Sequence, residues 1–303
     1  MKFLKQKNMK MMLYGLSFLV LYGIFLFGWR VLALVVTANI FAILTEYLFV
    51  RNKKNNRVSM AAMVTATLLA LSVPPTLPFW MIAVGAIVAI TFGKMVFGGF
   101  GLNMFNPAMV GRNFIYVAFV NAMTVNWLQP FTKFPGGFSV WQKIGNLTSA
   151  TPMIHFRDTG ELTELSRLFF GLIPGSVGET SAFLIILIGI YLIWTKTAKW
   201  QPMLATLLSF SIFTLIFYGT NPLPLIFSGG LMFGIVFITT DPVSMPKNKT
   251  AIWVYGFLIG FLTVLIRKYS LFVEGFMFAI IITNSFMPII EIAITKLQKK
   301  KRS

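Results

Sequence analysis

Cysteine is absent from this 303-residue chain and histidine occurs once. No disulfide can form within it, and neither thiolate ligation of an iron–sulfur cluster nor a haem held by two of its own histidines is available. If electrons pass through the chain, an organic cofactor or a metal centre borrowed from a partner must carry them. The lone His155 lies in a long loop, where such a residue reads as surface. Acidic side chains are also scarce: eight Asp and Glu stand against 26 Lys and Arg, and charged residues make up only 11% of the total. Soluble domains carry about 25%, so a soluble fold of this length would lack the polar surface to cover itself.

What fills the chain is hydrocarbon. Apolar residues account for 57% of it, and the mean hydropathy is +0.79. Bilayer is the solvent that makes such a composition reasonable. The first apolar run, residues 11–27, lacks a small-residue cleavage site after it and leads through Trp29-Arg30 into a second run, which identifies a retained span and not a signal peptide. Runs long enough to cross hydrocarbon lie near residues 11–28, 31–50, 58–73, 79–96 and 104–122, and again near 181–195, 202–219, 224–240, 251–266 and 272–294. The expected fold is therefore an all-α polytopic membrane protein with about ten transmembrane helices.

A net charge of +18 invites a nucleic-acid reading, but the position of the charge argues against it. Lys2, Lys5, Lys7, Lys10, then Arg51, Lys53, Lys54, Arg57, then Lys94, Lys196, Lys199, Lys247, Lys249 and the tail Lys296 to Arg302 all fall on one side of a ten-span chain. The positive-inside rule makes that side cytoplasmic and puts both termini there. No soluble basic domain remains to bind nucleic acid.

One long segment stands outside the spans, residues 121–180, punctuated by Pro130, Pro135-Gly136-Gly137 and Pro174-Gly175. Connections of this length are functional or disordered, and the expected organisation is residues 1–120 as a first five-helix unit, 121–180 as an extracytoplasmic loop, and 181–303 as a second five-helix unit with a basic tail. The halves share an order of features. Val73-Pro74-Pro75-Thr76-Leu77-Pro78, a span with Gly85 and Gly93, Gly98-Gly99-Phe100-Gly101 and Asn106-Pro107 parallel Asp241 to Pro246, a span with Gly256 and Gly260, Glu274-Gly275 and Asn284 to Pro288. An odd number of spans per half turns the copies opposite ways, a plan of transporters with a working site at the repeat axis.

Ionisable groups inside hydrocarbon are costly and default to functional candidates. Glu46 and Glu291 sit near inner span ends, where a structural pairing is the expected role. Arg112, beside Asn113 inside the fifth span, needs a carboxylate, a phosphate or helix-end carbonyls. Asp241 either caps the segment after it or meets an entering cation. The glycines before Asn103 and Asn106, with Pro107 after them, describe non-helical backbone leading into a membrane helix, which is tolerated only against protein or a cavity.

Five segments together resemble one family: Gly98-Gly99-Phe100-Gly101-Leu102-Asn103-Met104-Phe105-Asn106-Pro107-Ala108; Thr148-Ser149-Ala150-Thr151-Pro152-Met153; Pro174 to Ala182; Thr240 to Pro246; and Val264-Leu265-Ile266-Arg267. In this order they resemble the D component of the Rnf complex, the ion-pumping ferredoxin:NAD oxidoreductase, and more distantly the B component of the sodium-translocating NADH:quinone reductase. The resemblance implies covalent FMN, joined through a phosphoester to Thr151 by a flavin transferase, with Thr148, Ser149 and Ala150 completing the recognition motif. Serine at 149, often glycine in relatives, is a small departure.

The resemblance also allows a second, non-covalent riboflavin, and implies partner subunits and coupling of electron transfer between ferredoxin and NAD to sodium or proton movement. Asn106, Arg112, Asp241 and Asn284 are the residues expected to line that path or meet the second flavin. Trp127, Phe131, Phe134, Phe138 and Trp141 either shield the flavin ring or join the interfacial aromatic belt. Two other readings stand beside this one: an inverted-repeat solute channel or transporter whose threonine motif carries nothing, and a passive scaffold within a complex.

Overall fold

Ten apolar runs in the sequence become helices in a computed structural model, which describes residues 2–4, 6–52, 57–142, 147–148, 151–270, 272 and 274–300. In chain order the helices are α1 (Lys7–Phe27), α2 (Arg30–Val50), α3 (Met60–Leu71), α4 (Phe79–Ile90), α5 (Pro107–Ala118), α6 (Val120–Thr124), α7 (Pro152–Thr159), α8 (Leu165–Phe170), α9 (Ala182–Trp194), α10 (Trp200–Tyr218), α11 (Pro222–Phe227), α12 (Leu231–Phe233), α13 (Lys249–Tyr269) and α14 (Phe276–Lys300). Five of these, α1, α2, α10, α13 and α14, are long and apolar enough to cross a bilayer. Phe18, Leu21, Phe286 and Ile289 on their outer faces are more than half exposed, a surface that water would penalise and lipid tails accept. The chain is a multi-pass membrane protein.

The remaining runs are not uniform spans. Helix α3 has 12 residues, about 18 Å at 1.5 Å per residue against about 30 Å of hydrocarbon. Extended or looped backbone flanks these shorter helices, with Ser72, Val73 and Leu77 buried after α3 and Asn103 and Asn106 buried before α5. Helix α4 ends in a π-turn, Thr91–Met95, and α12 runs into a second one, Gly234–Ile238. In each the amide five residues on donates to the opening carbonyl: Val96 N to Thr91 O at 3.0 Å, Thr239 N to Gly234 O at 2.9 Å. Such turns occur most often at functional sites.

Two short sheets depart from an all-helical expectation. Strand β1 (Lys2–Leu4) pairs in parallel with β2 (Arg57–Ser59), and β3 (Trp127–Leu128) pairs antiparallel with β4 (Leu147–Thr148). Packing partners recur between the halves: α2 lies on α4 as α10 lies on α13, α4 on α5 as α13 on α14, and α1 meets α9 while α5 meets α14. The α10–α13 contact uses Gly256 and Gly260. A Cβ there would stand 2.8 Å from Pro202 O and 2.6 Å from Thr206 O, so only glycine lets α13 approach α10 this closely.

The loop after α5 folds over one end of the bundle. Gly28 (φ +104°) turns α1 into α2 there; Trp29 N and Arg30 N donate to Val140 O and Trp141 O, and the Arg30 guanidinium donates to Pro75 O and Leu77 O. This end is the loop face. The opposite end carries β1, β2, Lys94 and the segment after Asp241.

Candidate functional site

Residue 151 begins a helix. Thr151 has extended backbone (φ −83°, ψ 163°), its Oγ1 accepts from Ile154 N at 3.4 Å, and Pro152 occupies the first helical position, where the missing amide costs nothing. The strand before it, β4, sets Thr148 opposite Trp127 and so draws the motif onto the loop's one buried tryptophan. Ser149 and Ala150 lie outside the described residues. Thr151 then opens into a cleft of about 790 Å³ on the loop face, walled by Tyr116, Val120, Met123, Trp127, Phe272 and Glu274, with Arg157, Asp158 and Tyr269 also lining it. A smaller recess continues past Thr151 to Ser176, Glu179 and Glu274.

The floor of this cleft is a buried charge cluster, and Arg112 is its centre. The guanidinium is 2% exposed. Its Nε donates to Ser72 O at 2.7 Å, Nη2 sits 3.2 Å from the Glu179 carboxylate, and the same nitrogen is ion-paired with Glu274. Arg267 lies close by, bonded through Nε, Nη1 and Nη2 to the carbonyls of Glu274, Leu225 and Ser228. The sequence asked what would hold Arg112; two carboxylates and a helix-end carbonyl do. Tyr116 was not singled out from sequence; Glu179 and Arg267 appeared only inside motifs, and Glu274 only among the features shared by the halves. The available signal was scarcity: with eight acids in the chain, each one near a span invites a role.

At the opposite end Asn106 and Asp241 meet, Nδ2 to Oδ2 at 3.1 Å. Asp241 also accepts from Val243 N at 3.1 Å and Ser244 Oγ at 3.0 Å, so it caps its own segment while reaching across to the first half. Both residues line a small recess with Lys94, Phe100, Asn103 and Phe237. Helix α5 leads from Asn106 toward Arg112 at the loop face, and α14 leads from Glu274 beside Arg112 to Glu291 against Lys247 and Asn248. That sets the two helices antiparallel, with Asn113 Nδ2 bonded to Met277 O between them. Asn284 therefore falls toward the Asn106 end of α14. It is 1% exposed and neither amide atom meets a hydrogen-bond partner among the described residues; nor does the hydroxyl of buried Tyr255. Buried polar atoms of this kind call for water or a ligand. The four path candidates thus separate into Arg112 at the loop face and Asn106, Asp241 and Asn284 toward the other.

Lys94, counted in the sequence as a basic topology marker, is instead buried. Its ammonium, on the first π-turn, lies 2.7 Å from Glu46 Oε2 and 2.6 Å from Ser59 Oγ, while Ser59 N donates to Glu46 Oε1. Breaking such a pair leaves a charge without compensation. Lys94→Met should lower stability by about 3 kcal/mol, read as earlier thermal loss of monodisperse protein in detergent, whereas Lys94→Met with Glu46→Leu should recover most of it. A marker acting only on topology would leave the melting unchanged. Glu291 is structural as expected, accepting from Lys247 N and Asn248 N. His155 is surface, 3.6 Å from Glu161.

Of the loop aromatics, Trp127 lines the Thr151 cleft. Phe138 and Trp141 belong instead to the α1–α2 turn: Phe138 packs on Phe25 and its carbonyl accepts from Trp29 Nε1, while Trp141 O accepts from Arg30 N. Phe134 is 85% exposed.

Known proteins share this sequence plan. The family model described as NQR2, RnfD, RnfE matches residues 3–300. The D component of an ion-translocating oxidoreductase complex from Actinobacillus succinogenes is 33% identical over 306 aligned residues, covering 88% of this chain and 86% of that protein. The D component of a proton-translocating ferredoxin:NAD(+) oxidoreductase complex from Clostridium ljungdahlii is 32% identical, covering 89% and 84%. The B component of a Na(+)-translocating NADH-quinone reductase from Pseudoalteromonas atlantica is 34% identical over 85% of this chain, which spans 64% of that longer protein. Matched almost from end to end by the model, and by two D components along most of their own length, the chain belongs to the NQR2, RnfD, RnfE family.

Proposed function

We infer that the chain is a membrane component of an ion-translocating oxidoreductase complex of the Rnf type, and that Thr151 carries FMN through a phosphoester. The observation that supports this best is the setting of Thr151. Thr151 lines a cleft of about 790 Å³, within the range of about 300–1,000 Å³ typical of small-molecule sites. Tyr116, Trp127 and Phe272 offer apolar walls for a ring system. The amides that open α7 and the Arg157 guanidinium suit a phosphate. FMN supplies what a cysteine-free chain with one histidine lacks, acceptance of one or two electrons.

The basic end is cytoplasmic by the positive-inside rule, which puts the Thr151 cleft outside and both termini inside. The recurring packing partners support two inverted five-helix repeats, with the symmetric contacts α1–α9 and α5–α14 nearest their axis. Electrons passing between ferredoxin and NAD through partner subunits would reach the outer flavin, and sodium or protons would move past Asn106, Asp241 and Asn284. A flavin transferase and the other members of the complex are the implied partners, while a second, riboflavin-type cofactor keeps no assigned residues.

The test is transport. Inverted vesicles holding the complex should accumulate cation when given reduced ferredoxin and NAD, and omission of this chain should abolish uptake. Uptake that persists without it would refute the assignment.

A further inference from the structure

Attachment at Thr151 gives no work to the charges beneath it, yet the chain gathers two of its eight acids and two buried arginines there. We propose that Glu274 sets the reduction potential of the flavin at Thr151 by masking the positive charge of Arg112. The inference rests on the attachment reading above. Its grounds are positional. Glu274 is the member of the cluster that reaches the cleft, with its side chain 17% exposed against 2% for Arg112 and 5% for Glu179. Both carboxylates line the recess beside Thr151. Arg267 spends its donors on three carbonyls, and among the described residues no carboxylate ion-pairs with it.

The cluster holds two guanidinium groups and two carboxyl groups, and burial pushes the Glu179 carboxyl well above the usual carboxylate range, which leaves Glu274 as the charge that masks Arg112 near neutral pH. A cofactor being reduced in the cleft gains negative charge, and the free energy of that gain depends on the net charge below it. Arg112 is almost wholly buried and Glu274 mostly so, and such charges are screened less than surface ones. Arg157 and Asp158 line the same cleft but are ion-paired to each other and about half exposed, so solvent damps their influence. Removing the Glu274 carboxylate leaves an unmasked guanidinium under the cofactor and makes reduction easier. Arg112 also bonds Ser72 O and Met277 Sδ, which fixes the charge in place and keeps it from turning away.

The experiment titrates the covalent flavin spectroelectrochemically in the assembled complex, with the Thr151→Ala complex as baseline. Glu274→Gln should raise its midpoint potential, shifting the oxidised-to-reduced ratio at fixed potential at least tenfold, which is about 59 mV for a one-electron step and about 30 mV for a two-electron one. Glu274→Ala removes the same charge and carries the same sign, so one variant failing to assemble leaves the other to decide. Glu274→Asp, which keeps the charge, should stay near the parent value, an outcome that a purely structural role does not predict. Flavin-loaded Gln or Ala variants that titrate at the parent potential would overturn the inference. A parent protein without in-gel flavin fluorescence would instead overturn the attachment on which it rests.

Discussion

Thr151→Ala, co-expressed with the flavin transferase, is expected to lose the flavin fluorescence that survives denaturing electrophoresis, and with it electron-driven cation uptake. The substitution removes one hydroxyl and little else. Thr151 is an N-cap, and loss of such a cap costs about 1 kcal/mol, too little to unfold a bundle in which α7 is one short surface helix. Expression and detergent stability should therefore stay near the parent while fluorescence falls to background. Thr151→Ser, which keeps both the hydroxyl and the cap, separates the chemistry from the fold: it should retain stability fully and fluorescence at least in part. Fluorescence that persists in Thr151→Ala would place the attachment elsewhere and remove the outer flavin from this site.

Arg112→Met should be the most destabilising single change in the molecule. The guanidinium neutralises Glu179 and Glu274 and caps the end of α3 through Ser72 O. Met fills similar volume but leaves two carboxylates facing one another in a nearly dry site. Breaking a buried pair costs about 3–5 kcal/mol, and here two pairs share one cation, so a loss of about 5 kcal/mol is expected, seen as a collapse in monodisperse protein on size exclusion. The triple variant Arg112→Met, Glu179→Gln, Glu274→Gln should recover much of it, because it leaves no uncompensated charge. If the single variant melts like the parent, the ion cluster is not a structural element.

These two sites differ in how far the sequence revealed them. All ten apolar runs were legible because hydrocarbon demands apolar length, and each became helix. Their true lengths were not: the π-turn at Thr91–Met95 and the break between α11 and α12 depend on backbone packing that hydropathy does not register. Thr151 was proposed from a short motif, while the cleft beside it could not be read from sequence. The cluster beneath it was only half legible, since Arg112 announced a need for counter-charge but its partners come from 67 and 162 positions away. Lys94 was misread for a related reason: charge counting assumes an exposed lysine, and only the fold brings Glu46 and Ser59 to it.

The small parallel sheet at the amino end has a consequence of parity. Backbone pairing of Lys2–Leu4 with Arg57–Ser59 requires an even number of crossings between them. The bond from Asn248 Nδ2 to Gln298 imposes the same condition on the last two long helices. Each closed pair fixes which ends share a compartment without reference to any charge. In a chain that contains no cysteine of its own, one introduced thiol, tested with an impermeant label, would report the compartment of every end tied to it.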